Sequence, residues 1–264
     1  MSDQYPSPED SNPPPPGYSA GPNNFQPVST ALQRQKPVVT YTIMGLTIFV
    51  FVLQMASQAL FNGADIPQAL GMKVNDLIVK GQLWRLFTPM LLHGSILHIG
   101  FNMYALYILG PGLERFYGWK RYLAVYILAG FAGNVMSFLF SPENSLGSST
   151  AIFGIFGAEG VFFYQNRKIF GQRAQLALRE IIFFAGINLL FGLSPGIDNW
   201  GHIGGLLGGT LFAWFGGPLL RVDGIYPALK LVDDRPEGDI IRAGINVGLL
   251  FAVLTAVTIF LKLR

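Results

Sequence analysis

The chain has 264 residues, of which 51% are hydrophobic and 12% charged, and its mean hydropathy is +0.41. A soluble domain carries about twice that fraction of charged residues, so the composition excludes an ordinary water-soluble globular domain. The absence of cysteine excludes disulfides, thiolate-bound metals and a cysteine nucleophile.

Long stretches without charge predict helices that cross a membrane. About 20 apolar residues in a helix span the hydrocarbon core of a bilayer. The uncharged windows of about this length are 37–64, 86–113, 122–142, 181–197, 199–220 and 243–261, and 144–166 is interrupted only by Glu159. The sequence therefore predicts an all-α polytopic membrane protein with seven membrane helices, of which the fifth is short.

The distribution of basic residues predicts how the chain is oriented. With a cytoplasmic N-terminus, 13 of the 18 Lys and Arg residues lie in cytoplasmic segments and five lie outside. This asymmetry fits the positive-inside rule. The net charge of +3 is therefore interpreted as a topology signal, and no nucleic-acid partner is expected.

The chain divides into four parts by composition. Residues 1–36 contain eight of the 17 prolines and predict a disordered, Pro-rich cytoplasmic tail, because such a segment buries too little apolar surface to fold. Residues 37–220 form a predicted core of six helices. A polar cytoplasmic linker, 221–239, connects this core to a seventh transmembrane helix in residues 240–264.

The connection after the first helix, which is predicted over 38–61, is apolar for an exterior loop. Its Trp84–Arg85 pair suits the headgroup layer, where an amphipathic ring and the long side chain of a cation both settle. In the turn that precedes the third helix, at about 119–140, Glu114 and Arg115 are interpreted as structural.

The second helix contains two polar side chains at helical spacing. His98 and Asn102 are four residues apart and therefore share one helix face. In a membrane helix this face should point into the bundle, where such groups commonly form hydrogen bonds between helices.

Two short motifs begin the fourth and sixth helices. Residues 147–154 read GSSTAIFG and include Ser149, and residues 199–205 read NWGHIGG and include His202. The predicted topology places both residues at the outer end of their helices. Closely spaced glycines follow each of them and predict close helix packing, which would bring a serine and a histidine within hydrogen-bond distance.

These residue types predict nucleophilic hydrolysis. His202 is a candidate base that takes the hydroxyl proton of Ser149 and returns it to the leaving amine. The free amides at the start of the Ser149 helix, together with His98 and Asn102, are candidate donors to an oxyanion. No carboxylate is clearly placed to orient His202, so the prediction is a dyad. Phe153 is expected to pack against the imidazole.

The chain resembles the rhomboid family of intramembrane serine proteases over about residues 38–220. The matching residues, in the order of the family, are Trp84-Arg85, His93-x4-His98-x3-Asn102, Gly147-x-Ser149 followed by Gly154, and His202-x-Gly204-Gly205. The resemblance implies a six-helix rhomboid-like bundle to which a seventh helix is added. It implies cleavage of transmembrane segments of membrane-protein substrates near their outer end, without metal or other cofactor.

The resemblance also implies that the fifth helix, about 179–193, and the loop 194–198 act as a gate and cap for substrate. The expected location is a cell membrane, the inner membrane of a bacterium, with the active site on the outer side and lipids as neighbours.

Two residues depart from what the family or a membrane helix leads one to expect. The family usually has glycine after the serine, whereas this chain has Thr150. Its bulk is expected to narrow the substrate pocket beside the nucleophile. Glu159 is unusual in a membrane helix and is expected to pair with another group inside the protein.

Two alternative functions are compatible with a helical membrane protein. A catalytically silent rhomboid-like protein would bind membrane clients, although such relatives typically lack the serine or the histidine. A transporter or channel would show paired repeats and charges near the membrane midplane, and the sequence has neither. The H-E-x-x-H, G-x-G-D and G-x-S-x-G motifs of other hydrolases are also missing from the sequence.

Overall fold

A computed structural model describes residues 36–225 and 228–264. The predicted tail, residues 1–36, lies outside the described residues except for Lys36. The helices are α1 (Val38–Leu60), α2 (Ile66–Gly71), α3 (Asn75–Val79), α4 (Ile96–Phe140), α5 (Ser149–Gln165), α6 (Arg167–Phe170), α7 (Gln172–Phe191), α8 (Asn199–Gly216) and α9 (Glu237–Lys262). An antiparallel hairpin of β1 (Leu220–Asp223) and β2 (Lys230–Asp233) precedes α9.

The structure confirms an all-α membrane bundle. Among the described residues, α1, α4, α7 and α9 are each long and apolar enough to cross a membrane. Helix α4 contains 45 residues and is interrupted at Gly118, where φ is +72°. Its arms, 96–117 and 119–140, correspond to the predicted second and third helices. The number of membrane crossings stays a prediction.

Some helix boundaries differ from the prediction. The uncharged window 86–113 is not one helix, because its first part forms 3-10 turns at Leu83–Leu86 and Thr88–Leu91. Helix α4 starts only at Ile96, where the Ser95 hydroxyl accepts a hydrogen bond from the amide of His98. Helix α7 begins at Gln172 rather than near residue 179. It therefore includes charged residues that precede the uncharged window 181–197.

Helices α4, α5 and α8 form the packed centre of the bundle. Glycines on two faces of α8 allow this packing. A Cβ at Gly205 or Gly209 would overlap the backbone of α5, and a Cβ at Gly204 or Gly208 would overlap side chains of α4. Helix α8 thus contacts both neighbours at backbone distance, as small residues permit in membrane helices.

The remaining long helices surround this centre. Helix α1 packs on α4, and α9 packs on α8 and α4. Helix α7 packs mainly on α5, and most of its surface is exposed. Helix α7 is therefore the least enclosed of the long helices that contact α5.

A buried carboxylate fixes the start of α1. Glu114, which is 1% exposed, accepts hydrogen bonds from the amides of Val39 and Thr40, both at 2.8 Å, and from the Thr40 hydroxyl at 2.7 Å. The first amides of a helix have no partner within the helix and form its positive end. The carboxylate therefore joins α4 to α1 at the point where α1 begins, in agreement with its interpretation as structural.

Arg85 does not extend to the headgroup layer as predicted. It is 3% exposed and donates to the carbonyl oxygens of Met72 at 2.7 Å and Ala69 at 2.8 Å. These carbonyls belong to the end of α2, where the helix leaves acceptors without partners. Trp84 is 50% exposed, so only the indole retains the predicted surface position.

A second cation is buried in the same connection. Lys73 is fully buried and donates to the carbonyl oxygens of Ser141 at 3.2 Å and Glu143 at 2.6 Å. The backbone of Lys73 also forms an antiparallel β-bridge with the backbone of Ser145. Burial lowers the pKa of Lys73 to about 8, so the ammonium group is still charged at neutral pH. Lys73 thereby ties this connection to the loop that leads to Ser149.

The predicted linker 221–239 is partly folded. Its hairpin is held to the bundle by an ion pair between Arg121 of α4 and Asp233 of β2. Arg235 donates to the carbonyl oxygens of Gly217 at 2.8 Å and Trp214 at 3.1 Å at the end of α8. The segment before α9 is thus a packed connector on the end of the bundle opposite Ser149.

We expect Glu114→Gln to lower the thermal unfolding temperature of the protein in detergent. An amide in place of the carboxylate keeps one acceptor oxygen and leaves at least one α1 donor buried without a partner, which costs about 1–3 kcal/mol.

Glu143→Gln is the matched control, because the Glu143 side chain is exposed, and it should unfold at the wild-type temperature. Equal unfolding temperatures for Glu114→Gln and the wild type would contradict the role of this carboxylate in holding α1.

Candidate active site

Ser149 and His202 meet where α5 and α8 begin. Ser149 is the first residue of α5, and its Oγ lies 2.9 Å from Nε2 of His202 on α8. His202 is 8% exposed, and Ser149 is half-buried. In the tautomer with its proton on Nδ1, the imidazole accepts the hydroxyl proton through Nε2. A hydroxyl in such a contact can pass its proton to the imidazole.

The imidazole of His202 is held by packing. Its ring stacks on Phe153 with centroids 4.3 Å apart and planes inclined by 11°, which confirms the predicted contact. Within the described residues, Nδ1 of His202 has no hydrogen-bond partner. Asp198, one turn earlier, instead accepts a bond from the amide of Gly201 at 3.0 Å. The imidazole plane is therefore held by an aromatic ring.

The starts of three helices converge on this pair. Ser149 is the first residue of α5, His202 the fourth of α8 and His98 the third of α4. His98 is therefore in the first turn of its helix, and not in the interior of one as the uncharged window 86–113 predicts. Each helix start carries a partial positive charge, and the first amides of α5 have no side-chain cap. Developing negative charge on a reacting oxygen is favoured at such a place.

Gly147 keeps space open between His98 and Ser149. Its φ is +129°, which L side chains rarely adopt, and a Cβ there would lie 2.7 Å from Nε2 of His98 and 3.7 Å from Oγ of Ser149. Nδ1 of His98 accepts a bond from the amide of Gly94 at 3.5 Å. The proton is then on Nε2, so His98 presents a donor toward the space beside Ser149.

Asn102 is 6% exposed and is one turn further along α4. One of its amide hydrogens is used within the helix, since Nδ2 donates to the carbonyl of His98 at 2.9 Å. An asparagine amide has two hydrogens, which leaves the second for another acceptor. The structure thus places His98 beside Ser149 and Asn102 directly behind His98.

Thr150 does not line the substrate side of the nucleophile. It is 5% exposed, and its side chain lies where a Cβ of Gly133 or Gly201 would be, with separations of 2.6 and 3.0 Å. It therefore fills the junction of α5 with α4 and α8. The prediction that Thr150 narrows the pocket is wrong, because the residue after Ser149 on the helix turns toward the bundle.

Glu159 does not pair inside the protein as predicted. Its Oε2 is buried, and among the described residues it has no hydrogen-bond partner. The sequence pattern could not show this, because pairing depends on which groups the facing helices present.

Sequence reasoning gave no role to His93, Ser148 or Gln54. His93 is 1% exposed, and its Nε2 lies 3.3 Å from Oγ of Ser148. His93 belongs to the quoted histidine motif, which was the available signal, whereas nothing in the sequence singles out Gln54. In the described parts of the chain, no group of three or more His, Cys, Asp or Glu side chains is placed to hold a metal ion.

The chain is similar to known proteins of the rhomboid family. The family model described as the rhomboid domain matches residues 80–219. The rhomboid protease GluP of Bacillus subtilis (strain 168) is 42% identical over 186 residues, which are 70% of this chain and 36% of that protein.

Two proteins of Arabidopsis thaliana are also similar. RHOMBOID-like protein 9, chloroplastic, is 35% identical over 159 residues, 60% of this chain and 37% of its own length. RHOMBOID-like protein 6, mitochondrial, is 40% identical over 134 residues, 50% of this chain and 43% of its own length. The matched part of the chain thus spans less than half of each of these relatives.

We expect Gly205→Ala to destabilise the protein and to separate Ser149 from His202. The added methyl would overlap the carbonyl of Thr150, so α8 must move away from α5. Overpacking of this kind costs about 1–3 kcal/mol. The measurements are the thermal unfolding temperature in detergent and the labelling of Ser149 by a fluorophosphonate.

Gly45→Ala on α1 is the matched control. No atom lies within 4 Å of a Cβ at that position, and alanine is the better helix former, so this variant should unfold at or above the wild-type temperature. Wild-type stability and labelling in Gly205→Ala would show that the close approach of α8 to α5 is not needed.

Proposed function

Because the chain belongs to the rhomboid family, we propose that it is an intramembrane serine endopeptidase. The observation that carries the proposal is the 2.9 Å contact between Ser149 Oγ and His202 Nε2 at the start of two apolar helices. The proposed substrates are membrane proteins whose transmembrane segments enter the bundle from the lipid. One relative, GluP, is named a protease, and that name supports the reaction type.

In the proposed mechanism Ser149 is the nucleophile and His202 the general base. Oγ attacks the scissile carbonyl carbon while its proton passes to Nε2 of His202. The imidazolium then returns the proton to the amide nitrogen as the peptide bond breaks, which releases the amine product and leaves an acyl ester on Ser149. Water hydrolyses this ester by the same steps, with His202 again as base.

The negative oxygen of the tetrahedral intermediate is stabilised by donors from two helices. The proposed donors are the free amides of the first turn of α5, the Nε2 hydrogen of His98 and the second amide hydrogen of Asn102. The space that Gly147 leaves open, between His98 and Ser149, is where this oxygen would lie. Removal of one such donor in a soluble protease costs about 10²–10³ in kcat.

The proposed route for substrate lies beside α7. This helix packs mainly on α5, and large apolar side chains near its end are exposed, among them Leu190 and Phe191 at 68% and 62%. The loop after it contains Leu193, which is 75% exposed. An exposed helix that packs mainly on the helix of Ser149 fits the proposed roles of gate for α7 and cap for the loop.

The protein is an integral membrane protein, and we propose a bacterial inner membrane with a cytoplasmic N-terminus as its location. The basic residues support this orientation, and the bacterial relative supports the membrane. Ser149 and His202 then open toward the outer side.

Ser149→Ala and His202→Ala should each abolish cleavage of a fluorescently labelled single-span transmembrane peptide by purified protein in detergent. In a soluble serine protease the loss of either group lowers kcat by about 10⁶. Fluorophosphonate labelling should disappear in Ser149→Ala, because the reagent forms its bond with Oγ.

Ser141→Ala, which removes a hydroxyl in the loop before α5, should cleave at the wild-type rate, and all three variants should insert into the membrane. Cleavage by the Ser149→Ala protein would exclude a serine protease. A wild-type protein that neither cleaves nor reacts with the fluorophosphonate would instead favour a catalytically silent rhomboid-like protein that binds membrane clients.

Single cysteines should test the orientation without background, because the chain has no cysteine. Cysteine at the exposed positions Asn144 or Ser194 should react with a membrane-impermeant maleimide in intact cells. Cysteine at Gln172 or at Ile225, which is 87% exposed, should react only after the membrane is made permeable. The opposite pattern would place the active site on the cytoplasmic side.

A further inference from the structure

A second pair of a serine and a histidine lies directly behind the first. Nε2 of His93 is 3.3 Å from Oγ and 3.5 Å from the backbone nitrogen of Ser148. His93 is 1% exposed and Ser148 is fully buried, so this pair cannot reach a substrate. Ser148 directly precedes Ser149 and is the N-cap residue of α5. A bond to Ser148 therefore acts on the peptide that carries the nucleophile.

The position of His93 is fixed from another helix. Oε1 of Gln54 on α1 accepts a bond from the amide of His93 at 3.1 Å, and Nε2 of Gln54 donates to the His93 carbonyl at 3.2 Å. The same Nε2 donates to Asp65 at 2.9 Å. Because Gln54 is 1% exposed, water does not compete for these bonds. The backbone of His93 is thus anchored to α1.

The His93 ring also contacts the proposed oxyanion donor. The rings of His93 and His98 pack edge to face, with centroids 4.9 Å apart and planes inclined by 68°. The other side of His98 is held by the amide of Gly94 on Nδ1. The direction of the His98 Nε2 hydrogen is therefore set by His93 on one side and by Gly94 on the other.

We propose that His93 is a positioning residue that aligns the two halves of the oxyanion site: the first amides of α5, through Ser148, and the ring of His98, by direct packing. This inference rests on the proposed protease function. Such alignment matters because an oxyanion donor acts only at about 2.7–3.1 Å from the reacting oxygen. A displacement of about 1 Å in the groups that hold a reacting centre can cost 10²-fold in rate.

The test compares kcat and KM for the labelled single-span peptide and the rate of fluorophosphonate labelling. Ser148→Ala, which removes only the hydroxyl, should lower kcat by about 10-fold with KM unchanged. His93→Ala should lower kcat by about 10- to 100-fold. His93→Gln keeps a side-chain acceptor for the amide of Ser148 and should restore most of the lost kcat. The double variant of His93→Ala and Ser148→Ala should be no slower than His93→Ala alone, since both act through one contact.

Ser137→Ala is the matched control. Ser137 is also fully buried and also contacts one serine hydroxyl, that of Ser145 at 3.4 Å, but it lies on α4 away from the nucleophile. It should leave kcat unchanged. All assays are made well below the unfolding temperature of each variant, so a lower kcat does not reflect unfolded protein.

An active wild-type protein with wild-type kcat in both Ser148→Ala and His93→Ala would overturn this inference alone. Equal losses of kcat in His93→Gln and His93→Ala would do the same, because a bond to Ser148 would then not be the cause. A wild-type protein that shows neither turnover nor labelling would overturn the proposed function and the inference with it.

Discussion

The structure depends on how closely α8 approaches α5. Inside a bilayer the hydrophobic effect does not drive two helices together. Their association relies on van der Waals packing and polar contacts. Here the glycines at 205 and 209 bring the two backbones into direct contact. A serine side chain reaches only one carbon from its backbone, so it meets an imidazole on a facing helix only when the helices are this close. The 2.9 Å contact of Ser149 with His202 follows from the missing side chains of α8.

The same packing gathers helix ends that are chemically alike. Ser149, His202 and His98 all belong to the first turns of their helices, so three positive helix ends face a common space, and the first amides of α5 have no side-chain cap. An ionised side chain would cost free energy in a membrane. Helix ends supply partial positive charge without any ionised side chain. Peptide amides and neutral imidazoles can therefore stabilise a transient anion beside lipid by donating hydrogen bonds to it.

Positions that depend on spacing along one helix could be predicted from the sequence. The serine, the histidine and the glycines of α8 follow helical spacing, and Phe153 is one turn from Ser149, so its contact with the imidazole could be predicted. The start of α4 was missed, because an uncharged window does not show where turns replace a helix. The direction of Thr150, the missing partner of Glu159 and the contact of Gln54 with His93 depend on facing elements distant in sequence, which residue spacing does not reveal.

Lys73 and Arg85 are both buried in the connection between α1 and α4. They show why the charge of Arg85 was not enough to predict its position. A helix that ends beside a membrane leaves carbonyl oxygens that lipid cannot satisfy. Arg85 serves the end of α2 and Lys73 the end of α4, so neither cation is free to interact with lipid headgroups. Two of the five cations assigned to the outer side are thus explained by protein contacts rather than by the membrane. On the cytoplasmic side, Arg235 is held by carbonyls in the same way. Cations at both ends of the bundle thus supply the donors that helix carbonyls lack beside a membrane.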